Sequence, residues 1–239
     1  MENIGNFTVA KRWGSFLLLY LGYMILFADR TVMNISLAYI GKDFHVGAAA
    51  LGATASAFFL GYTLMQIPGG YLTDKFGSKL MVIISLFAWS LMTMVTGWAW
   101  SLAALIAIRF LFGIAEGPYP AAALKRISEN YDKSEKSQAT SALISSNYAG
   151  AAVAPLIIVP IIASNGWRNA FVWLGVGGFI ILLAYYLVER PINSSQENGQ
   201  ARPKIEWKKI DHRVWAFVVI GLALNIITKG LETWMPVYF

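Results

Sequence analysis

The amino-acid sequence predicts an all-α protein that crosses a lipid bilayer several times. Of its 239 residues, 57% are hydrophobic and only 13% are charged, whereas a soluble domain carries about 25% charged residues. Apolar stretches of about 20 residues, the length of a membrane helix, recur along the chain. This composition argues against a soluble enzyme, a disordered chain or a nucleic-acid-binding protein. The net charge of +6 is better explained by membrane topology.

Six apolar spans and the start of a seventh follow one another along the chain. The six lie near 14–40, 49–72, 80–98, 102–124, 138–162 and 167–189. The polar stretch after them contains Pro, Ser, Asn and Gly, as a linker does. We therefore expect a six-helix bundle at 1–190, a cytoplasmic linker at 191–212 and an incomplete seventh helix at 213–239. Because the sequence is still apolar at Phe239, we also expect a second bundle, the C-terminal half of the protein, to be missing from it.

The basic residues predict the orientation in the membrane. Of the 19 Lys and Arg residues, 14 fall on one set of alternate connections, two on the other set, and three inside spans. Cytoplasmic connections carry the excess of Lys and Arg. The N-terminus is therefore predicted to lie in the cytoplasm.

Several kinds of chemistry lack the residues that they need. The chain has no Cys, so disulfides, thiolate metal sites and Cys nucleophiles are excluded. The two histidines, His45 and His212, fall in predicted loops, which makes a His-based metal site improbable. Glycine pairs lie inside apolar spans rather than in phosphate-binding loops. We expect no enzyme activity, no metal and no bound cofactor.

Four charged residues lie within apolar spans. Asp29 and Arg30 fall in the first span, and Arg109 and Glu116 in the fourth. Each costs about 2.5–3.5 kcal/mol at the centre of a membrane helix, so we expect all four to face protein or water. Arg109 and Glu116 are seven residues apart, on one helix face and about 10 Å apart along the axis. An acid midway along the first span of each trio also suggests three-plus-three inverted repeats.

Two interpretations of these charges remain open. They can form structural ion pairs that join the first and fourth spans. Alternatively, an arginine can hold a substrate carboxylate with two hydrogen bonds, while a carboxyl in a low-dielectric cavity takes up a proton near neutral pH. Substrate binding would then weaken the hold of the arginine on the acid and favour protonation. We hypothesise that this competition couples protons to an anion.

Polar residues on two other spans are candidates to line a cavity. Tyr62 and Gln66 are four residues apart and share one face of the second span. Asn147 lies in the fifth span. Hydrogen bonds between helices explain these residues equally well.

The segment GGYLTDKFGSK, between the second and third spans, resembles the signature loop of the major facilitator superfamily. The matching positions are Gly70, Asp74, Lys75, Gly77 and Lys79. The resemblance implies twelve spans in a complete protein and a loop that latches two halves together during the transport cycle. We also expect Asp74 to cap the N-terminus of the third span, where the helix dipole favours an anion.

Four further segments are similar to the anion:cation symporter branch of that family. They are ADRTVMNIS, YTLMQIPGGYLTDKFG, RFLFGIAEGPYPA and GWRNAFVWLG. The resemblance implies a bacterial inner-membrane carrier that moves a small carboxylate with protons by alternating access. Its substrate would be a sugar acid such as a hexuronate, aldonate or aldarate, and the proton gradient its driving force. A facilitator, or an antiporter of drugs or other solutes, is the alternative.

The same resemblance implies roles for the polar residues. Asp29 and Glu116 would be the proton-responsive acids, and Arg109 would pair with the acids and gate their protonation. Arg30 would contact the substrate carboxylate. Tyr62 and Asn147 would hold the rest of the substrate, with Gln66 as a further cavity candidate from its position beside Tyr62. The expected partners are the carboxylate, protons and the lipid bilayer, and not nucleic acid.

Overall fold

A computed structural model describes residues 9–189 and, within the predicted seventh span, residues 219–220, 223–224, 226–228 and 230–231. The regular elements in these residues are α-helices, which confirms the all-α prediction. The chain divides into two compact units, Met1–Pro191 and Ile192–Phe239, and the helices described below belong to the first. The predicted linker at 191–212 and most of the predicted seventh span lie outside the described residues.

Within the described residues, 9–189, the first unit contains six helices. They are α1 (Val9–Phe44), α2 (Ala48–Phe76), α3 (Ser78–Gly97), α4 (Leu102–Glu116), α5 (Tyr119–Asn130) and α6 (Lys133–Val188). Helices α4 and α5 together form one membrane-length stretch, Leu102–Asn130, with a break at Gly117 and Pro118. In the part of the chain that the structure describes, five stretches are long and apolar enough to cross a membrane. The prediction of a multi-pass membrane protein is therefore confirmed.

The helices extend beyond the predicted spans. Helix α1 begins at Val9 rather than near residue 14, and α2 continues to Phe76 rather than 72. The connection between the fourth and fifth predicted spans is shorter than their bounds of 124 and 138 imply, because α5 ends at Asn130 and α6 begins at Lys133. Hydropathy marks only the part of a helix that lies in hydrocarbon. Polar end turns continue the backbone hydrogen bonding into water, so hydropathy underestimates helix length.

Helix α6 reverses direction at Gly166. The backbone there has a φ of 79° and a ψ of 161°, a conformation that glycine adopts without a steric penalty. The first arm begins beside the N-terminal end of α1, where Glu135 pairs with Arg12. The second arm ends beside that same end, since Val188 lies against Gly14. The two arms therefore form a helical hairpin, which matches the predicted division between residues 162 and 167, while the total number of spans stays a prediction.

Small residues bring the helices close together. Helix α1 packs chiefly against α6, and α2 against α4, while α3 contacts both α4 and α6. Gly113 of α4 lies against the backbone of Phe58 and Tyr62 in α2, and Gly150 of α6 lies against Met24 of α1. A β-carbon at either glycine would collide with the facing backbone. These contacts agree with the role in lipid-phase packing that small residues have in membrane helices.

Candidate functional site

The four intramembrane charges meet in the interior of the bundle, and we call Asp29, Arg30, Arg109 and Glu116 the central cluster. Arg109 Nη1 donates to Asp29 Oδ1 at 3.0 Å. Arg30 Nη2 donates to Glu116 Oε1. The side chains of Asp29 and Glu116 are fully buried, and that of Arg109 is 2% exposed. The charges thus face protein rather than lipid, as their membrane cost requires.

The two ion pairs cross between α1 and α4. Asp29 and Arg30 are adjacent in α1, and they bind Arg109 and Glu116, which are seven positions apart in α4. Because the main packing partners of α1 and α4 are different helices, these pairs join the α1–α6 side of the bundle to the α2–α4 side. This is the geometry expected of structural ion pairs, and it also leaves the cluster with no net charge.

Arg109 is enclosed by aromatic rings. Its guanidinium carbon lies 5.0 Å from the ring centre of Phe112 and 4.9 Å from that of Phe171, within the range of cation–π attraction. Its Nε and Nη2 atoms have no hydrogen-bond partner. Arg109 therefore depends on Asp29 for its only ionic contact in the described structure.

Arg30 occupies a different environment. The ring centres of Phe27, Phe58 and Tyr62 lie 4.7, 5.1 and 4.7 Å from its guanidinium carbon. Its side chain is 16% exposed, the largest exposure in the central cluster. The second oxygen of its partner, Glu116 Oε2, is buried without a hydrogen bond. The structure thus places Tyr62 beside the arginine and leaves that arginine partly accessible, while the role of Tyr62 in holding the substrate stays a prediction.

Thr93 of α3 also binds the central cluster, a contact that was not predicted from the sequence. Its Oγ1 lies 2.7 Å from Asp29 Oδ2 and 2.9 Å from the carbonyl oxygen of Trp89. Threonine in a membrane helix commonly bonds the preceding turn of its own helix. A threonine in an apolar span therefore does not by itself predict a contact with another helix.

Two predicted cavity residues do not join the cluster. Gln66 is exposed on α2, and Asn147 is half-buried in the first arm of α6 with its Oδ1 buried and unpartnered. Neither makes a hydrogen bond with the central cluster in the part of the chain that the structure describes. Their role in substrate binding stays a prediction.

The expectation that Asp74 caps the third span is wrong. Helix α2 continues to Phe76, so Asp74 lies in its last turn and pairs with Lys125 of α5 at 3.3 Å. The residue that precedes α3 is Gly77, with a φ of 89° and no side-chain capping bond. Gly77 instead donates its backbone N–H to the carbonyl oxygen of Thr73.

The other residues of the signature loop lie at the same end of the bundle. Gly70 is in α2 with open space where a side chain would project. Lys75 Nζ lies 5.2 Å from the ring centre of Phe76. Lys79 Nζ donates to the carbonyl oxygen of Glu189 at 2.5 Å. The loop is thus bound to its own bundle, and the latch between two halves stays a prediction.

A second buried ionic group lies near the N-terminal end of α1, and we call Ser15, Arg126 and Glu189 the end cluster. Glu189 is fully buried; its Oε1 accepts from Ser15 Oγ, and its Oε2 from Arg126 Nη2, each at 2.5 Å. In the sequence, Arg126 is only one of the 14 basic residues that predict the orientation in the membrane. An acid directly after an apolar span was the available indication of the cluster.

The central cluster offers acids, cations and hydroxyls rather than metal ligands. Within the described residues, no group of three or more His, Asp or Glu side chains is placed to hold a metal ion. Chemically, the arrangement can bind an anion at an arginine and take up a proton at a carboxylate.

The chain is similar to curated transporters. It is 28% identical to the "Probable sulfoacetate transporter SauU" of Cupriavidus necator, over 90% of this chain and 54% of that protein. It is 29% identical to a "Probable galactarate/D-glucarate transporter" of Escherichia coli, over 96% of this chain and 60% of that protein. It is 30% identical to the chloroplastic ascorbate transporter of Arabidopsis thaliana, over 96% of this chain and 46% of that protein. The chain spans about half the length of the curated relatives it matches.

Solved structures have the same fold. A bacterial homologue of the human lysosomal transporter Spinster, in an inward-facing and occupied conformation, matches with a TM-score of 0.81 and 23% identity. The match covers 95% of this chain and 54% of that one. The peptide transporter POT in complex with sulfate matches with a TM-score of 0.68 and 16% identity. The match covers 93% of this chain and 46% of that one.

These comparisons confirm the resemblance drawn from the sequence motifs. They also confirm the expectation of a transport-family protein rather than an enzyme. The sequence pattern of the Major Facilitator Superfamily matches residues 19–239, and with the helical architecture described above this establishes that the chain belongs to the major facilitator superfamily.

Proposed function

We propose that the protein is a secondary active transporter that moves a small organic anion, a sugar acid, together with protons by alternating access. The observation that carries this proposal is the central cluster. Two acids and two arginines share a buried site, their charges balance, and one arginine remains partly exposed. The names of the relatives give further support, because sulfoacetate, galactarate, glucarate and ascorbate are all organic anions.

Arg30 is the proposed contact for the substrate carboxylate. A guanidinium presents a planar fork of donors that matches a carboxylate, and Glu116 occupies only part of that fork. The rings of Phe27, Phe58 and Tyr62 flank the guanidinium and restrict its orientation. A substrate carboxylate that binds Arg30 therefore competes with Glu116 for the same cation.

This competition supplies a route to proton coupling. A buried carboxylate that loses its cation is left with an uncompensated charge, which is destabilising by about 3–5 kcal/mol. Glu116 avoids that cost by taking up a proton when the substrate displaces it from Arg30. Loss of the proton on the other side of the membrane restores the Glu116–Arg30 pair and expels the anion. Asp29 and Arg109 form the second pair that responds to protons.

The proposal includes the arrangement of the protein in the membrane. The excess of Lys and Arg on alternate connections supports a cytoplasmic N-terminus. The bacterial relatives support a bacterial inner membrane. Under this proposal residues 1–190 are the first of two bundles, 191–212 the cytoplasmic linker and 213–239 the start of the second bundle. No bound cofactor takes part, and the proton gradient drives accumulation.

The experiment uses the protein expressed from its complete coding sequence and reconstituted in liposomes. Under an inward proton gradient, we expect accumulation of a labelled hexuronate, aldonate or aldarate. Glu116→Gln should abolish accumulation and retain exchange of internal for external substrate, since exchange needs no net proton movement. Glu135→Gln is the matched control, because Glu135 is 44% exposed and pairs with Arg12 away from the cluster.

The outcomes separate the parts of the proposal. Accumulation by Glu116→Gln at the rate of the unmodified protein would remove Glu116 from coupling. Uptake that ignores the proton gradient would indicate a facilitator. Inhibition by cationic dyes, with no uptake of any sugar acid, would indicate a drug antiporter and contradict the anion assignment.

A further inference from the structure

Thr93 occupies a position that two acceptors share. Its Oγ1 lies within hydrogen-bond distance of Asp29 Oδ2, at 2.7 Å, and of the carbonyl oxygen of Trp89, at 2.9 Å. Both Thr93 and Asp29 are fully buried. Thr96, one turn further along α3, also bonds the carbonyl oxygen four residues before it, at 2.9 Å. It makes no bond to a carboxylate, so Thr93 is set apart by its second acceptor.

A threonine hydroxyl carries one hydrogen and two acceptor lone pairs. When Asp29 is ionised, Thr93 can donate to Asp29 Oδ2 or to Trp89, but not fully to both. When Asp29 carries a proton on Oδ2, that proton can be donated to Thr93 Oγ1, and Thr93 then donates to Trp89. Both states are hydrogen-bonded without movement of a heavy atom. Asp29 Oδ1 keeps its bond from Arg109 Nη1 throughout.

We propose that Thr93 is a positioning residue for the proton on Asp29, and that its hydroxyl reverses direction when Asp29 gains or loses that proton. This inference rests on the proposed proton-coupled function and adds a residue to it. It assigns the proton to Oδ2, the oxygen that faces Thr93, because Oδ1 is held by a cation. The bonds balance: the incoming proton forms O–H on Oδ2, and the Thr93 hydrogen changes its acceptor.

Few other groups near the Asp29 carboxylate could position its proton. The charged groups that face Asp29 from other helices are Arg109 and, at longer range, Glu116, both on α4. Arg30 follows Asp29 on α1 but is turned to Glu116. In the described part of the chain, Thr93 and Arg109 are the hydrogen-bonding partners of the Asp29 carboxylate.

Thr93→Val tests the inference, because valine keeps the shape and removes the hydroxyl. A hydrogen bond to an ionised group is about twice as strong as one between neutral groups, so the ionised form of Asp29 loses more than the protonated form. We expect the pH at which gradient-driven uptake is half-maximal to rise by about one unit, a tenfold change in proton binding. Thr93→Ser should restore the original profile, and Thr96→Val, the matched control, should not shift it.

A double variant shows whether the effect passes through Asp29. In an Asp29→Asn background, Thr93→Val should cause no further change in the pH dependence of exchange, because coupled residues are not additive. Superimposable pH profiles for Thr93→Val and the unmodified protein would overturn the inference. A shift of equal size in Thr96→Val would overturn it too.

An infrared titration of the purified protein gives a readout that does not depend on transport. The carbonyl band of protonated Asp29, assigned by its absence in Asp29→Asn, should titrate at a shifted pH in Thr93→Val. If Thr93→Val fails to fold, Thr93→Ala removes the same hydroxyl and must show the same shift. If the unmodified protein carries no anion, the proposed function fails, and an unshifted band still decides against Thr93.

Discussion

The central cluster and the end cluster both bury carboxylates against arginines, yet they bind them differently. Both oxygens of Glu189 are occupied, one by Ser15 and one by Arg126. Glu116 has one occupied oxygen and one buried oxygen without a partner. Glu189 is therefore held at both oxygens, whereas one oxygen of Glu116 has no partner and can bind another group.

This difference separates a structural role from a functional one more clearly than burial does. The side chains of Glu189 and Glu116 are equally buried, and both reside where an uncompensated charge is costly. What distinguishes them is whether each acceptor is satisfied and whether the partner arginine is accessible. Arg126 is 6% exposed and Arg30 is 16% exposed at the side chain. We therefore expect the end cluster to stabilise the bundle and the central cluster to work in transport.

The largest expected effect on stability comes from Glu189→Ala. Removal of this carboxylate leaves the buried Arg126 with only its longer pair, at 3.3 Å, to the more exposed Glu129, and the free energy of unfolding should fall by about 3 kcal/mol, the low end of the cost of a broken buried pair. Glu116→Ala should cost less, since Arg30 keeps three aromatic contacts and partial access to water. Thermal unfolding of both variants in the same detergent measures the difference. Equal losses of unfolding free energy in the two variants would contradict the proposed difference between the clusters.

A smaller effect, on substrate binding, is expected from Arg30→Lys. Lysine keeps the charge but loses the planar fork, so about one charge-assisted hydrogen bond to the substrate carboxylate is lost. That bond is worth about 1.5–3 kcal/mol, and the apparent affinity for the anion should fall by about tenfold to a hundredfold. Substrate titration of exchange in proteoliposomes measures it.

The control for this prediction lies near the N-terminal end of α1. Arg12 also lies near an aromatic ring and pairs with an acid, Glu135, but its pair is more exposed. Arg12→Lys should leave the affinity for the anion unchanged. An unchanged affinity in Arg30→Lys as well would place the substrate carboxylate elsewhere in the protein.

The sequence revealed the charges and not their connections. Asp29, Arg30, Arg109 and Glu116 were conspicuous because an ionised group in an apolar span is rare and costly. Which acid pairs with which arginine depends on how α1 and α4 are rotated and displaced along their axes, and a single sequence contains no measure of either. The spacing of Arg109 and Glu116 showed that they share a helix face, but not that each would reach across to α1.

Polar residues that cost little free energy in a membrane helix were not predicted, for a related reason. Thr93 and Ser15 carry small hydroxyl groups, which can bond the preceding turn of their own helix, so neither disturbs the hydropathy of its span. Their contacts with Asp29 and Glu189 exist only because other helices bring the carboxylates to them. Gln66 shows the reverse case: its residue type suggested a binding role, but it is exposed and makes no hydrogen bond with the central cluster among the described residues.

The smallest expected effect on stability comes from Asp74→Asn. Asp74 and Lys125 are 51% and 30% exposed and 3.3 Å apart, and an exposed ion pair contributes about 0–1 kcal/mol. Thermal unfolding should therefore change little, whereas turnover should fall if the signature loop latches two halves of the transporter. Lys125→Met removes the same ion pair from its other side. If Asp74→Asn slows turnover and Lys125→Met does not, Asp74 acts on a partner beyond α5; if both slow it equally, the Asp74–Lys125 pair itself is responsible and the latch prediction is contradicted.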